Sequence, residues 1–132
     1  MANRFAELAK HLQQRAELGY GRYGTYLCVS NGRNALVDAY QESLDQIVYL
    51  RQYLQDRYAG IELTFPGDYA THAEPSPIPH SGQPVLSYVL SDFMEPEQFD
   101  NPSGIGFIEV YRQAVLLADL LRMLIEMERA NG

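Results

Sequence analysis

One cysteine, one lysine and no tryptophan set the first bounds on this chain of 132 residues. The lone Cys28 excludes an internal disulfide and a cysteine-based zinc site, and it fits a reducing compartment. With no histidine near it in sequence it is no candidate nucleophile, and a small buried thiol is expected. His11, His72 and His80 show no metal-binding spacing, so zinc is not expected. Lys10 is the single lysine, and 10 basic residues stand against 17 acidic ones, a formal net charge of -7. Duplex nucleic acid is therefore a poor candidate partner, although small anions can still bind locally. No apolar run reaches the ~20 residues of a membrane-spanning helix. The nearest, AVLLADLLRMLI, is interrupted by Asp119 and Arg122. The N-terminus has charges every few residues and no signal-peptide core, so a cytoplasmic protein without a membrane partner is expected.

What is present fits one globular domain spanning residues 1–132, with 46% hydrophobic and 20% charged residues. Its longest uninterrupted helical stretch is 33–58, free of Gly and Pro. Leu36, Tyr40, Leu44, Ile47, Leu54 and Tyr58 form one apolar face there, edged by Val37 and Val48. A first helix is predicted from an Asn3 cap to about Gly19, followed by a loop over 19–32 with an Asn31-Gly32 turn. All seven prolines lie between Pro66 and Pro102, within a proline-rich insertion over 59–104. Within it IELTF, 61–65, and PVLSYVL, 84–90, are β-prone enough to pair as a small hairpin or fold over the bundle. A second long helix begins near Ile105 and is apolar around most of its circumference, which favours an oligomer. Its polar strip, Arg112, Asp119, Arg122, Glu126 and Arg129, alternates in sign and is expected to pair with itself.

Asp38, Glu42 and Asp45 point the same way on the 33–58 helix, at i, i+4 and i+7. The plain interpretation is a solvated face opposite the apolar stripe. Against it, no Lys or Arg stands three or four residues from any of the three, so like charges repel by about 0.2–0.5 kcal/mol per pair. A divalent cation would turn that repulsion into binding, because Mg²⁺ and Mn²⁺ take hard carboxylate oxygens. Tyr49 continues the stripe and is placed to stack on a base or touch a phosphate. The string GYGRYG, 19–24, matches the dinucleotide fingerprint by letter only, since a helix rather than a strand precedes it. Its glycines either turn the chain or let backbone amides approach a phosphate held between Arg22 and Arg33, beside Tyr23.

YGTYL at 23–27, NGRNALVDAYQESLD at 31–45 and YLRQ at 49–52 resemble the MazG-like, all-α nucleoside triphosphate pyrophosphohydrolases of small phage and bacterial type. The likeness covers roughly residues 15–55. It implies an oligomeric all-α helical bundle, a homodimer or homotetramer, in the cytoplasm, or the host cytoplasm if phage-encoded. It further implies hydrolysis of a nucleoside or deoxynucleoside triphosphate to monophosphate and pyrophosphate with Mg²⁺ or Mn²⁺. Carried over by residue, Glu42 and Asp45 supply the family's E-x-x-D and Asp38 the nearest preceding acidic ligand. In this picture the three are metal ligands and catalytic groups, with Arg22, Tyr23, Arg33, Asn34 and Tyr49 on the substrate. The sequence departs from the family in lacking a clean E-x-x-E upstream, and Asn34 stands where relatives often carry Asp. The ligand set is then reduced, completed by another subunit, or replaced by residues of the last helix such as Glu109. Two rivals stand beside this reading: a nucleotide-binding, sponge-like protein without catalysis, and a helical interaction module that uses the arm at 66–104.

Overall fold

The computed structural model of the chain describes residues 4–58 and 83–132. The expected strand at 61–65, His72, His80 and most of the prolines lie outside the described residues. Four α-helices and a short 3₁₀ helix account for most of the described chain, which contains no strand. The class is all-α. Among the described residues no helix is long and apolar enough to cross a membrane. The chain divides into two compact units, Met1–Asn34 and Ala35–Gly132, and each is described by itself.

The first unit holds α1 (Ala6–Tyr23), whose N-cap is Phe5 with no side-chain cap, not Asn3. The helix does not stop at Gly19. A glycine inside a helix costs about 1 kcal/mol, which its neighbours tolerate, whereas a stop needs a residue that turns left-handed. That residue is Gly24, with φ 74° and its N–H donating to the Tyr20 carbonyl at 2.7 Å. The predicted loop at 19–32 thus begins only at Gly24, and the amides of 19–23 belong to the helix rather than to a phosphate cradle. Tyr20 stacks on Tyr26 at 4.6 Å between centroids. Cys28 is exposed, not buried as expected, because α1 has no buried residue and this unit has no core to receive it. The Asn31-Gly32 turn forms as predicted: the Arg33 N–H donates to Asn31 Oδ1 at 2.9 Å and Gly32 has φ 83°.

The second unit is built on α2 (Ala35–Arg57) and α4 (Gly106–Asn131). They run antiparallel: Tyr53 lies 5.6 Å from Phe107 at one end, and Tyr40 and Leu44 share a groove with Asp119 and Arg122 toward the other. α2 buries Ser43, Ile47, Arg51 and Leu54, with Tyr58 just beyond it, in steps of three and four residues. The buried stripe is therefore rotated from the expected one. It includes Arg51 and Ser43, and leaves Leu44 41% exposed. α4 contributes Ile108, Tyr111, Ala114 and Ala118 to the same seam.

PVLSYVL is helical, not a strand: α3 (Val85–Asp92) starts after an extended Pro84. Its β-branched residues raise strand propensity only weakly, and tertiary packing overrides them. Val85, Val89 and Asp92 fall at i, i+4 and i+7, so a helix puts all three toward α2 and α4. The 3₁₀ helix Pro96–Phe99 then delivers Phe99, edge-on to Tyr111 at 6.1 Å and to Phe93 at 5.8 Å. Leu54, Ile108 and Tyr111 at the centre are fully buried.

Candidate functional site

α2 presents its acidic face to a shallow groove of about 550 Å³ along its junction with α4. Glu42, Asp45, Gln46 and Tyr49 line it from α2, and Leu117 and Leu121 form the opposite wall. Glu42 and Asp45 are exposed, and neither has an ion-pair partner among the described residues. Tyr49 is 69% exposed one turn beyond Asp45. Ser43 is buried between the two helices, and its hydroxyl donates to the Tyr40 carbonyl at 2.7 Å. It is not a candidate nucleophile. The groove thus combines two solvated carboxylates, an amide and a phenol with one apolar wall. That set can take a hydrated cation or a ring stacked on Tyr49, but it has no basic group of its own.

Three of the sequence-predicted residues, Glu42, Asp45 and Tyr49, meet in this groove. Asp38 does not line it; it sits half-buried in the first turn of α2 and is engaged in an interaction of its own. Arg22 occupies the last turn of α1, where it also complements the helix dipole. Tyr23 is the last residue of that helix and is 74% exposed. Arg33 and Asn34 close the same unit, both with interactions of their own. Among the described residues no three His, Cys, Asp or Glu side chains come together as a metal-binding group.

Glu109, the alternative ligand, is committed elsewhere. Its carboxylate accepts the Ser103 backbone N–H and an Arg112 guanidinium N–H, both at 2.8 Å, and the Gln113 amide at 3.2 Å. Burial acts to raise its pKa, but these donors, led by the Ser103 N–H, outweigh it and hold the carboxyl below its usual range. Glu109 fastens the 100–105 segment to the first turn of α4.

The most deeply buried ion pair among the described residues was not legible in the sequence. Arg51 Nε donates to Asp92 Oδ2 at 2.7 Å, and the Tyr111 hydroxyl donates to the same oxygen at 2.8 Å. Arg51 also reaches Gln55 at 3.2 Å and lies over the Tyr88 ring at 5.3 Å. Both charged side chains are under 10% exposed. Burial raises the Asp92 carboxyl, with Arg51 and then Tyr111 pulling it back, and burial likewise pushes the Tyr111 phenol well above its ordinary value. This triad joins α2, α3 and α4 and is closed to solvent, so it organises the core and faces no ligand. The one signal for it in the sequence was Arg51, a charge on the apolar side of the long helix.

No protein-family model, no curated protein and no solved structure matches the chain.

Proposed function

We propose that the chain is a metal-dependent hydrolase of nucleoside or deoxynucleoside triphosphates, releasing monophosphate and pyrophosphate. The observation that carries this is the pairing of Glu42 and Asp45 on one open groove without a basic neighbour among the described residues. The donor set fits Mg²⁺ or Mn²⁺, which bind through one or two carboxylates and leave further positions to water and substrate phosphates. Such an ion would screen the phosphate charge and lower the pKa of a bound water. Glu42 and Asp45 would hold it, and a further carboxylate would orient or deprotonate the attacking water. Asp38 would be a more distant ligand or base. Tyr49 would stack on the base, and the resemblance assigns Arg22, Tyr23, Arg33 and Asn34 to the substrate as well. The likeness of 31–45 to the MazG-like enzymes supports the same reaction and a homodimer or homotetramer.

The test is a panel of NTPs and dNTPs with Mg²⁺ or Mn²⁺, measuring pyrophosphate and monophosphate. Glu42→Gln and Asp45→Asn, both at exposed positions, should each cut turnover by about 100-fold or more with helix content unchanged. Unchanged turnover in both variants overturns the site. Nucleotide binding without pyrophosphate release would instead favour a sponge-like role. A second reading, a helical interaction module, is favoured by the apolar outer face of α4. It predicts that neither metal nor nucleotide changes the protein.

A further inference from the structure

The seam between α2 and α4 has a second concavity, on the flank away from the acidic groove. Tyr40 and Leu44 line it, roughly half a turn around α2 from Glu42, Asp45 and Tyr49, and no residue lines both. Its volume is about 430 Å³, within the range of small-molecule sites. Tyr40, Leu44 and Ile47 form one wall and Val115, Leu116 and Ala118 another. Phe93 and Phe99, edge-on at 5.8 Å, close it from the side of the 3₁₀ helix. Three charged side chains share this apolar lining: Asp100, Asp119 and Arg122. Arg122 is answered twice, by Asp119 at 2.8 Å and by Glu126 at 2.9 Å. Asp100, which ends the 3₁₀ helix, is exposed and has no ion pair among the described residues. The charge left over at the cavity is therefore negative.

We propose that this cavity binds a small hydrophobic amine, a body of one or two rings carrying a single protonated nitrogen. The rings would bury against the aliphatic walls, and the ammonium would meet the Asp100 carboxylate. Charge complementarity selects this class of ligand. An anion would face Asp100 and Asp119 while the one guanidinium at the site is already engaged by two carboxylates. A polyamine would carry further charges into an apolar cavity with nothing to pair them. A monocation suits the aromatic lining as well, because an ammonium is drawn to ring faces within ~6 Å. Tyr40, Phe93 and Phe99 supply three such rings, and Phe93 is 40% exposed. The site shares no residue with the acidic groove and does not rest on the nucleotide reading.

The probe is tryptamine, with indole-3-acetate and tryptophol as its anionic and neutral counterparts. The chain contains no tryptophan, so the anisotropy of indole emission reports the probe alone. On the full chain, without metal or nucleotide, tryptamine should bind with a Kd below about 1 mM. It should bind about tenfold tighter than indole-3-acetate, the effect of one charge-assisted contact. Asp100→Asn, at an exposed position, should erase most of that preference and leave tryptophol binding unchanged. Leu44→Lys, which sets a second ammonium in the cavity, should weaken tryptamine by about tenfold or more. Leu44 is 41% exposed, so circular dichroism should show the fold of that variant intact. Absence of tryptamine binding at millimolar concentration overturns the proposal, including the case in which the chain's own residues fill the cavity. Equal affinity for the three probes overturns it too, as does tryptamine binding unchanged in both folded variants. Pyrophosphate release is a separate readout, so failure of this site and failure of the nucleotide reading are distinguishable.

Discussion

Arg51 and Asp92 show how much one buried pair decides here. Removing one partner strands the other charge in the core beside Tyr111, so Arg51→Met alone should cost about 3–5 kcal/mol of stability. Arg51→Met with Asp92→Leu should recover most of that loss, and urea unfolding of the single and double variants measures the coupling. Asp92 and Glu109 respond to pH in opposite directions. Asp92 has its folded pKa raised, so its contribution is complete below the unfolded value and is lost as pH rises through the folded one. Glu109 has its folded pKa lowered, so its contribution is present above the unfolded value and is lost as pH falls through the folded one. Glu109→Gln should therefore destabilise by about 1 kcal/mol at neutral pH. The difference from wild type should shrink as pH falls below the usual carboxylate range, read by urea midpoints along a pH series. A gap that is the same at neutral and strongly acidic pH would show that Glu109 does not carry the 100–105 brace.

At the scale of elements, helix α1 makes a sharp contrast between glycines. Cβ atoms at Gly19 and Gly21 would meet nothing within 4 Å, and both residues are helical. Gly19→Ala and Gly21→Ala should each stabilise α1 by about 0.5–1 kcal/mol. Gly24→Ala should destabilise it by about 1 kcal/mol or more, since φ 74° is left-handed. Helix content by circular dichroism of the isolated 1–34 segment checks all three. The same glycines explain why α1 runs past its expected end: letter composition marks where a turn is cheap, and only the left-handed residue marks where it occurs. α2 and α4 were legible because their period of 3.6 is sustained for more than twenty residues without a breaker. α3 was not, because eight residues with β-branched positions carry too little periodicity to outweigh local propensity. Of the candidate site, Glu42, Asp45 and Tyr49 could be read from spacing on one helix. The Arg51–Asp92 pair could not, because its partners lie 41 residues apart and only the packed α3 brings them together.

Across the whole molecule, burial is confined to one unit. Every buried side chain among the described residues lies between Ser43 and Ala118, and the first unit contributes none. Charge is divided along the same line: residues 1–34 hold five basic and two acidic side chains, while residues 35–132 hold five basic and fifteen acidic. A core of this kind should fold without the first unit. A chain of residues 35–132 is expected to keep a cooperative thermal transition, with stability within about 1 kcal/mol of the full chain, because it holds every buried side chain of the described residues. Residues 1–34 alone should be only marginally helical, since an isolated helix of 18 residues sits near the length where nucleation cost and propagation balance. Calorimetry of the two pieces and the whole decides the matter. If 35–132 fails to fold, burial within α2, α3 and α4 is not what stabilises the chain. If it folds and still turns over nucleotide with Mg²⁺ at the full chain's rate, Arg22, Tyr23, Arg33 and Asn34 take no part in the reaction. The chemistry would then belong to Asp38, Glu42, Asp45 and Tyr49 of the second unit, and a fall in kcat/KM on truncation would assign the first unit to substrate.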